Sequence, residues 1–263
     1  MKPKITIAIP SYNNERIISE TIKSVMEQDY SNKEILVIDD CSTDSTCTLI
    51  ENNFPKVRLI RNEHNLGIGK NLVKLMDEAK GKYIYYLSSD DLIADKRVIS
   101  DVVKVFDANP DIGVIGRYMY FFMDGYDGAI GVCRDTNILT QSCCPSGIAF
   151  RRMSVVSTNK IFIEMPSIVA QYLNKYRWTM LEYDAIAARF HPGGNTGTKS
   201  SYYTESPTQN WYDLLGKDFK DYPMFVQLKN RAPHLLWNEI CIVIRNNKKA
   251  LLDLSFWFYA LVA

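Results

Sequence analysis

Three polar clusters in the N-terminal half of the chain carry side chains that could bind a nucleotide and a divalent cation. The clusters are Pro10-Ser-Tyr-Asn13, Asp39-Asp40 and Ser88-Ser-Asp-Asp91. A tyrosine ring can stack on a nucleobase, and amide or carboxylate groups can hydrogen-bond a base or a ribose. The Asp90-Asp91 pair supplies hard oxygen ligands for Mg²⁺ or Mn²⁺ between phosphates. Asp-Asp before Ser-Thr is by itself more typical of a helix cap, so the order of the three clusters carries the prediction.

Short apolar runs precede the clusters, and helical patterns separate them. Strands are predicted at Lys4 to Ile9, Ile35 to Ile38, Lys56 to Ile60 and Tyr83 to Leu87. Helices are predicted at Glu15 to Glu27, from caps at Ser42 to Ser45 as far as Asn52, at Leu66 to Ala79 and at Asp95 to Ala108. The run Ile35 to Ile38 has no polar alternation, so we expect it to be covered on both faces. This alternation is typical of βαβ units and a largely parallel sheet, which binds ligands at the carboxyl ends of its strands.

The regular pattern decays after Ile112, where Gly113 and Gly116 are expected to break the segment. The sequence contains neither a linker rich in Pro, Gly and Ser nor an internal repeat. We therefore predict one continuous domain over residues 1–211. Its first half, 1–110, would bind one ligand and its second half, 111–211, a more variable one. A helical extension is predicted over 212–263.

The composition excludes several classes of function. Thirty-one Lys and Arg against 30 Asp and Glu leave a formal net charge of +1, so no overall field is available to hold nucleic acid. The first residues lack the apolar core of a secretory signal, and no window reaches the ~18 consecutive apolar residues of a membrane span. We therefore expect a cytoplasmic protein. The six cysteines have no C-x-x-C or zinc-finger spacing, which predicts reduced thiols.

The C-terminal residues 250–263 are nearly all apolar or aromatic and follow the basic run Arg245-Asn-Asn-Lys-Lys249. Basic residues beside a face of Trp, Phe and Tyr suit the headgroup layer of an anionic membrane. Peripheral contact of this tail would hold the protein at the inner face of the membrane. A helix packed on the protein's own core, or on a subunit interface of a homo-oligomer, would give the same pattern. The sequence leaves these alternatives open.

The combination of motifs resembles family 2 glycosyltransferases of the GT-A fold, densely over residues 3–110 and sparsely to about 195. The motifs are Ile9-Pro-Ser-Tyr-Asn13, Glu34-Ile-Leu-Val-Ile-Asp-Asp-Cys-Ser-Thr-Asp44, Asn65-Leu-Gly67 with Asn71, and Gly81-Lys-Tyr-Ile-Tyr-Tyr-Leu-Ser-Ser-Asp-Asp91. The resemblance implies an α/β fold with a Rossmann-like, mostly parallel central sheet flanked by helices. It also implies that the first half binds a nucleotide sugar and the second half an acceptor.

The resemblance assigns site residues as well. It implies nucleotide contacts for Pro10, Tyr12, Asn13, Asp39, Asn71, Ser88 and Ser89, and metal contacts for Asp90 and His191. In the family an Asp usually stands at the position of Ser88 and bonds the ribose. A serine hydroxyl can make that bond but lacks the carboxylate's charge, so weaker nucleotide binding is expected. The alternative for His191 is a loop histidine with only local bonds.

Two later segments extend the resemblance. Pro145-Ser-Gly-Ile-Ala-Phe-Arg-Arg152 is similar to the family's acceptor-side segment, and Arg189-Phe-His-Pro-Gly-Gly194 to its Arg-x-His-Pro element. Between them the family carries a Glu-Asp pair whose Asp is usually the general base. The matching positions hold Glu164 and Met165, so Glu164 is the predicted catalytic base. Glu182 and Asp184 are the nearest substitutes.

Together these assignments predict a metal-dependent, inverting glycosyltransferase with Mn²⁺ or Mg²⁺ as cofactor. The donor is expected to be a UDP-linked sugar, and the acceptor a hydroxyl on a growing glycan or a lipid-linked saccharide. One alternative is a nucleotide-sugar-binding module without catalysis, and another is a membrane-surface scaffold built on the aromatic tail. Gly67-Ile-Gly-Lys70 lacks the third glycine of a dinucleotide fingerprint and the Ser or Thr of a P-loop. The Gly-x-Ser-x-Gly elbow of a serine hydrolase is absent from the sequence.

Overall fold

The computed structural model describes residues 4–124, 128–129, 131–134, 136, 138, 145–155 and 164–189. The chain divides into two units, Met1–Thr198 and Lys199–Ala263, and all described residues lie in the first. The expected boundary at 211/212, the helical extension 212–263 and the aromatic tail lie outside the described residues. The domain division therefore stays a prediction.

Nine strands and five helices have described bounds. The strands are β1 Ile5–Ser11, β2 Lys33–Asp39, β3 Arg58–Arg61, β4 Tyr83–Tyr86, β5 Leu92–Ile93, β6 Ile112–Phe122, β7 Gly131–Cys133, β8 Ala149–Arg151 and β9 Arg177–Arg189. The helices are α1 Ile18–Met26, α2 Thr46–Asn53, α3 Ile68–Glu78, α4 Val98–Ala108 and α5 Glu164–Leu173. Each strand and helix predicted in the first 110 residues is present, with shifted ends.

The strands form one sheet in the order β3-β2-β1-β4-β8-β6-β9-β5, with β7 paired to β6. Strands β1 to β4 are mutually parallel. Strand β8 runs antiparallel between β4 and β6, and β9 is parallel to β6. Short β5 and β7 are antiparallel to their neighbours. The prediction of a mostly parallel α/β sheet is therefore confirmed.

The register of the parallel strands sets the position of the polar clusters. Ser11 at the end of β1 lies opposite Asp39 at the end of β2. On the other side of β1, Ala8 lies opposite Tyr86, and the amide of Leu87 bonds the carbonyl of Ala8. The loops that follow β1, β2 and β4 thus leave the sheet side by side, at an edge that we call the carboxyl edge.

Helices cover both faces of the sheet. Helices α1, α2 and α4 share a hydrophobic core with Ile5, Ile7 and Ile9 of β1. Helix α3 contacts β1, β2 and α5, and α5 also contacts β6 and β9. Residues Ile35 to Ile38 of β2 are all buried, which confirms that this strand is covered on both sides. A parallel sheet covered in this way carries its polar groups at the strand ends.

The predicted helix starts were wrong by three residues at α1 and α4, because the chain forms a turn there first, through backbone bonds before α1 and through the Asp95 side chain before α4. The backbone amide of Ile18, the first residue of α1, bonds the carbonyl of Asn14. Before α4, the carboxylate of Asp95 accepts the backbone amide of Arg97 at 2.8 Å. Short acidic and amide side chains compete for backbone donors in this way, which favours them before a helix rather than within it.

The expected breaks at Gly113 and Gly116 were wrong, since β6 runs through both residues. A Cβ at Gly113 would lie 2.4 Å from Cβ of Tyr176, so the glycine admits the tyrosine side chain against the strand. Packing rather than chain reversal explains this glycine. The strands β6 and β9 are the longest of the described sheet.

Two further expectations bear on the described residues. Cys41, Cys47 and Cys133 are free thiols, as expected, and the other three cysteines lie outside the described residues. Within the described part of the chain, no helix combines the length and hydrophobicity that crossing a membrane requires.

Gly81 should be intolerant of a side chain. Its missing Cβ would lie 2.5 Å from the amide nitrogen of Thr6 and 2.6 Å from the carbonyl oxygen of Tyr83, and backbone atoms cannot rotate away. Gly81→Ala should therefore lower the free energy of unfolding by about 3 kcal/mol. Gly128→Ala is the control, since no atom of the described residues lies within 4 Å of the added Cβ and its φ of +84° opposes a side chain, at a cost of about 1 kcal/mol. Equal losses in urea unfolding would contradict the steric explanation.

Candidate functional site

Hydrogen bonds join the loop after β1 to the loop after β2. The backbone amide of Asn13 donates to Oγ of Ser42 at 2.8 Å, and Oδ1 of Asn13 accepts the amide of Thr43 at 2.9 Å. Glu15 and Asp44 each accept a backbone amide from the opposite loop. Asn13 has a φ of 51°, a left-handed conformation that asparagine tolerates better than most residues. The two loops therefore form one hydrogen-bonded unit, and the side chain of Asn13 helps to build it.

Asn14 connects this unit to the loop after β4. Its Nδ2 donates to Oγ of Ser89 at 2.5 Å, and its backbone amide donates to Oγ1 of Thr46 at 2.8 Å. The carbonyl of Ser89 accepts Oγ1 of Thr21 from α1 at 2.8 Å. The structure thus brings Asn13 and Ser89, both predicted from the sequence, into one network through a residue that the sequence analysis did not assign.

Pro10 and Tyr12 lie at the same edge. Pro10 is half-buried within β1 and lies opposite Ile38. Tyr12 follows the strand and is 48% exposed, although tyrosine usually buries much of its ring. An exposed ring at the end of a parallel strand is available for stacking on a planar ligand.

Asp39 organises the loop that follows β2. Only 1% of the residue is exposed. Its carboxylate accepts the amide of Ser42 at 2.8 Å and Oγ of Ser42 at 2.5 Å. Burial, together with a hydrogen bond to Asp39, raises the pKa of the Cys47 thiol to about 12, so this thiol stays protonated and donates to the carboxylate. The nucleotide contact of Asp39 stays a prediction.

The neighbouring Asp40 holds the loop between β3 and α3. It is 4% exposed. One carboxylate oxygen accepts Nδ2 of Asn62 and the amide of Leu66, each at 2.8 Å, and the other accepts the amide of Gly67 at 2.9 Å. Gly67 has a φ of 78° and immediately precedes α3. The carboxylate therefore fixes the start of this helix.

Asn71 belongs to the same buried network. Its Nδ2 donates to the carbonyl of Ile38 at 3.1 Å, and its Oδ1 accepts Nδ2 of Asn62 at 3.2 Å. The residue is 2% exposed. In this structure both ends of its amide bond other parts of the protein, and its predicted nucleotide contact stays a prediction.

The turn after β4 carries the acidic pair. The amide of Ser88 donates to Oγ of Ser146 at 3.1 Å, which ties the turn to the segment before β8. Asp90 is half-buried, and Asp91 is 6% exposed. Burial, with the adjacent charge of Asp90, raises the pKa of Asp91 to about 7. Hydrogen bonds from Ser146 and from the backbone amide of Arg189 oppose this shift.

The chemistry of this turn fits a divalent cation. Two adjacent carboxyl groups offer hard oxygen donors, and their mutual repulsion would be relieved by a bound positive charge. No group of three or more His, Cys, Asp or Glu side chains with metal-binding geometry occurs among the described residues. A cation at this turn would therefore need ligands beyond these side chains, such as phosphate oxygens or His191, which lies outside the described residues.

The predicted base begins helix α5. Strand β9 starts beside the start of β6, at the edge opposite the carboxyl edge, and α5 ends shortly before β9. Glu164 is the first residue of this helix, and its role as the base stays a prediction. The following Met165 is 5% exposed.

Of the two substitutes, Asp184 is engaged by a guanidinium. Its two oxygens accept Nη1 and Nη2 of Arg134 at 2.5 and 2.8 Å, and Arg134 also lies over the ring of Tyr118. Both oxygens of the Asp184 carboxylate are therefore occupied by the guanidinium. Glu182 is exposed on the same strand.

Asn14, Ser146 and Arg189 complete the site, although no role was predicted for them. Arg189 and Ser146 lie within motifs of the resemblance, but the sequence gives no sign that both reach Asp91. For Asn14, the one local sign of a role in the site was its position next to Asn13, a predicted nucleotide contact.

An open, mostly parallel sheet with polar loops joined at its carboxyl edge is the arrangement in which α/β proteins generally bind ligands at the strand ends. The family model described as glycosyl transferase family 2 matches residues 6–156, which is more than half of the 263 residues. The chain belongs to this family. The resemblance seen in the motifs is therefore confirmed.

Relatives agree with this family. The chain is 39% identical over 94 residues to the UDP-Glc:alpha-D-GlcNAc-diphosphoundecaprenol beta-1,3-glucosyltransferase WfgD of Escherichia coli. The matched stretch covers 35% of this chain and 37% of WfgD. The chain spans less than half the length of the curated relatives that it matches.

Solved structures share the fold. TarS 1-349 of S. aureus in complex with UDP-GlcNAc superposes with a TM-score of 0.63 at 20% identity, covering 98% of this chain and 79% of that one. The mannosyltransferase PcManGT of Pyrobaculum calidifontis, in complex with GDP-Man and Mn²⁺, gives 0.59 at 16% identity, covering 99% and 84%. The expected GT-A fold is confirmed.

Asp40 should matter for stability. Asp40→Ala would remove the acceptor of the Leu66 amide and would leave the Gly67 amide with only Asn65 and the Asn62 amide group with only Asn71, so the free energy of unfolding should fall by about 2 kcal/mol. Asp77→Ala is the matched control, because Asp77 is an exposed aspartate on α3 and such changes usually stay within about 0.5 kcal/mol. Urea unfolding followed by circular dichroism measures both. A loss at Asp40 no larger than the loss at Asp77 would show that the network does not hold this loop.

Proposed function

We propose that the protein transfers a sugar, with inversion, from a UDP-linked donor to a hydroxyl of a growing glycan or a lipid-linked saccharide. The observation that carries this proposal is the joining of three loops at the carboxyl edge, with the Asp90-Asp91 turn among them, in a chain of glycosyl transferase family 2. A single unit of this kind can hold a base, a ribose and a diphosphate at once.

The printed names and ligands of similar proteins support the donor and acceptor classes. WfgD carries a UDP-linked donor and a diphosphoundecaprenol acceptor in its name, and TarS was solved with UDP-GlcNAc. In this chain, the exposed ring of Tyr12 would stack on the base, and Pro10 and Asn13 would shape the pocket beside it. Asp39 would accept a hydrogen bond from the base.

The ribose and diphosphate would lie at the turn after β4. The hydroxyl groups of Ser88 and Ser89 would bond the ribose there. Ser88 is the more accessible of the two, because Ser89 is 8% exposed and its Oγ accepts Nδ2 of Asn14. Asp90 and His191 would hold a divalent cation, Mn²⁺ or Mg²⁺. A cation bound there neutralises the charge that develops on a departing diphosphate, and the PcManGT complex contains Mn²⁺.

Glu164 would act as the general base. The acceptor hydroxyl attacks the anomeric carbon, its proton passes to the Glu164 carboxylate, and the bond from that carbon to the diphosphate oxygen breaks. The electron pair of that bond leaves with UDP. Met165 cannot accept a proton, and the bidentate pairing of Asp184 with Arg134 makes Asp184 the weaker candidate.

A second function, a nucleotide-sugar-binding module without catalysis, is favoured by two residues. Ser88 stands where the family usually has an Asp, and buried Met165 stands where it usually has the base. Both functions predict binding of UDP. Only the transferase releases UDP from a donor.

A panel of UDP- and GDP-linked sugars, with saccharide and lipid-linked saccharide acceptors, separates the two functions by release of the nucleotide. We expect UDP release that requires Mn²⁺ or Mg²⁺. Asp90→Asn should remove most of this release and most of the Mn²⁺-dependent part of UDP binding, because a neutral amide is a weaker cation ligand than a carboxylate. Asp77→Asn, at an exposed position of α3, is the control. Unchanged binding and release in Asp90→Asn would exclude Asp90 from the metal site.

Glu164→Gln keeps the size of the side chain but removes the proton acceptor. Turnover should fall by at least ~100-fold, the scale on which positioned bases contribute, with UDP affinity nearly unchanged. Asp184→Asn should retain turnover, because Asp184 is the paired carboxylate. The reverse pattern would assign the base to the later segment and contradict the proposed match of Glu164 to the family motif.

A further inference from the structure

The last residue of β9, Arg189, reaches the acidic turn across the sheet. It is 2% exposed. Its backbone amide donates to Oδ1 of Asp91 at 2.9 Å, and Nε of its side chain donates to the carbonyl of Asp90 at 3.2 Å. Arg189 therefore bonds both aspartates: Asp91 through its carboxylate and Asp90 through its backbone carbonyl.

The rest of the guanidinium is anchored to two other segments. Nη2 donates to Oε2 of Glu20 in α1 at 2.5 Å, and Nη1 bonds Oδ1 of Asp124, just beyond β6. The group also lies 4.8 Å from the centroid of the Phe122 ring, within the range of a cation–π contact. Glu20 and Asp124 have side chains that are 55% and 64% exposed, whereas that of Arg189 is 2% exposed.

A guanidinium suits this junction because its N–H donors form a rigid fork. Each of the three guanidinium nitrogens bonds a different segment. The carbonyl of Asp90 is therefore held at set distances from α1 and from the end of β6. A lysine ammonium is a compact charge and cannot span the same three acceptors. Removing the fork would break the bond to the Asp90 carbonyl, while the bonds of Ser88, Ser89 and Asp91 to other segments would remain.

We propose that Arg189 is a positioning residue for the metal-binding turn. It holds the backbone of Asp90, so that the carboxylate meets the cation without prior rearrangement of the turn. This inference rests on the proposed function, because it takes Asp90 to be the metal ligand. Removing a group that hydrogen-bonds and orients a metal ligand typically lowers metal affinity or activity by about 10- to 100-fold.

The experiment measures UDP affinity by calorimetry, once in Mn²⁺ and once in EDTA, for the full chain. Arg189→Met keeps the apolar stem and should reduce the gain in UDP affinity on adding Mn²⁺ by about tenfold or more. UDP affinity in EDTA should be unchanged. Arg189→Lys should recover part of the gain, because it keeps the charge between Glu20 and Asp124 but lacks the fork.

Arg177→Met is the matched control, because Arg177 begins the same strand, pairs with Asp111 and has a side chain that is 81% exposed. It should behave as the unaltered protein in both buffers. If Arg189→Met does not fold, Glu20→Gln and Asp124→Asn decide the question. Each removes the charge of one exposed partner of Arg189. Each should reduce the gain in UDP affinity on adding Mn²⁺, by less than is expected for Arg189→Met.

Two results would overturn the inference. One is that Arg189→Met gains as much UDP affinity from Mn²⁺ as the unaltered protein does. If Arg189→Met does not fold, the corresponding result is a full gain in both Glu20→Gln and Asp124→Asn. The other is an equal loss of UDP affinity with and without Mn²⁺, which indicates general damage to the site. If the unaltered protein gains no UDP affinity from Mn²⁺, the proposed metal dependence itself fails and takes this inference with it. The unaltered protein thus separates the two failures.

Discussion

The parallel pairing of β1 with β2 on one side and β4 on the other is the constraint on which the site depends. It brings three loops, separated by long stretches of sequence, to the same edge of the sheet. Short polar side chains then suffice to join them, as the bonds from Asn13 to Ser42 and Thr43 and from Asn14 to Ser89 illustrate. A site built on such strand ends is shaped before any ligand arrives, because its loops already satisfy one another's hydrogen bonds.

Burial divides the four aspartates of this edge into different roles. Asp39, Asp40 and Asp91 are buried and accept several hydrogen bonds each, whereas Asp90 is the more exposed of the four. A buried carboxylate is stable only when hydrogen-bond donors surround it. Three of the four aspartates therefore accept most of their hydrogen bonds from the protein itself. Asp90 differs from these three in being half-buried, and Arg189 connects its backbone to the second half of the chain.

That second half is built from longer strands than the first. Strand β6 passes through Gly113 because the Tyr176 side chain occupies the space of a Cβ. Strand β9 runs beside β6 over most of its length, and its end delivers Arg189 to the turn after β4. The pair of Arg134 with Asp184 joins β9 to the end of β7. The acceptor side of the site would therefore be coupled to the metal side through one continuous strand.

The sequence by itself determined the alternation of strands and helices in the first 110 residues, the buried character of β2 and the three polar clusters. These features are local, because apolar periodicity and short polar runs are written in neighbouring residues. Only the tertiary structure decided that Asp40 is a structural anchor, that Gly113 lies within a strand and that Arg189 bonds Asp90, which is 99 positions away. Such contacts depend on strand order and register, and a single sequence carries no local signal for either.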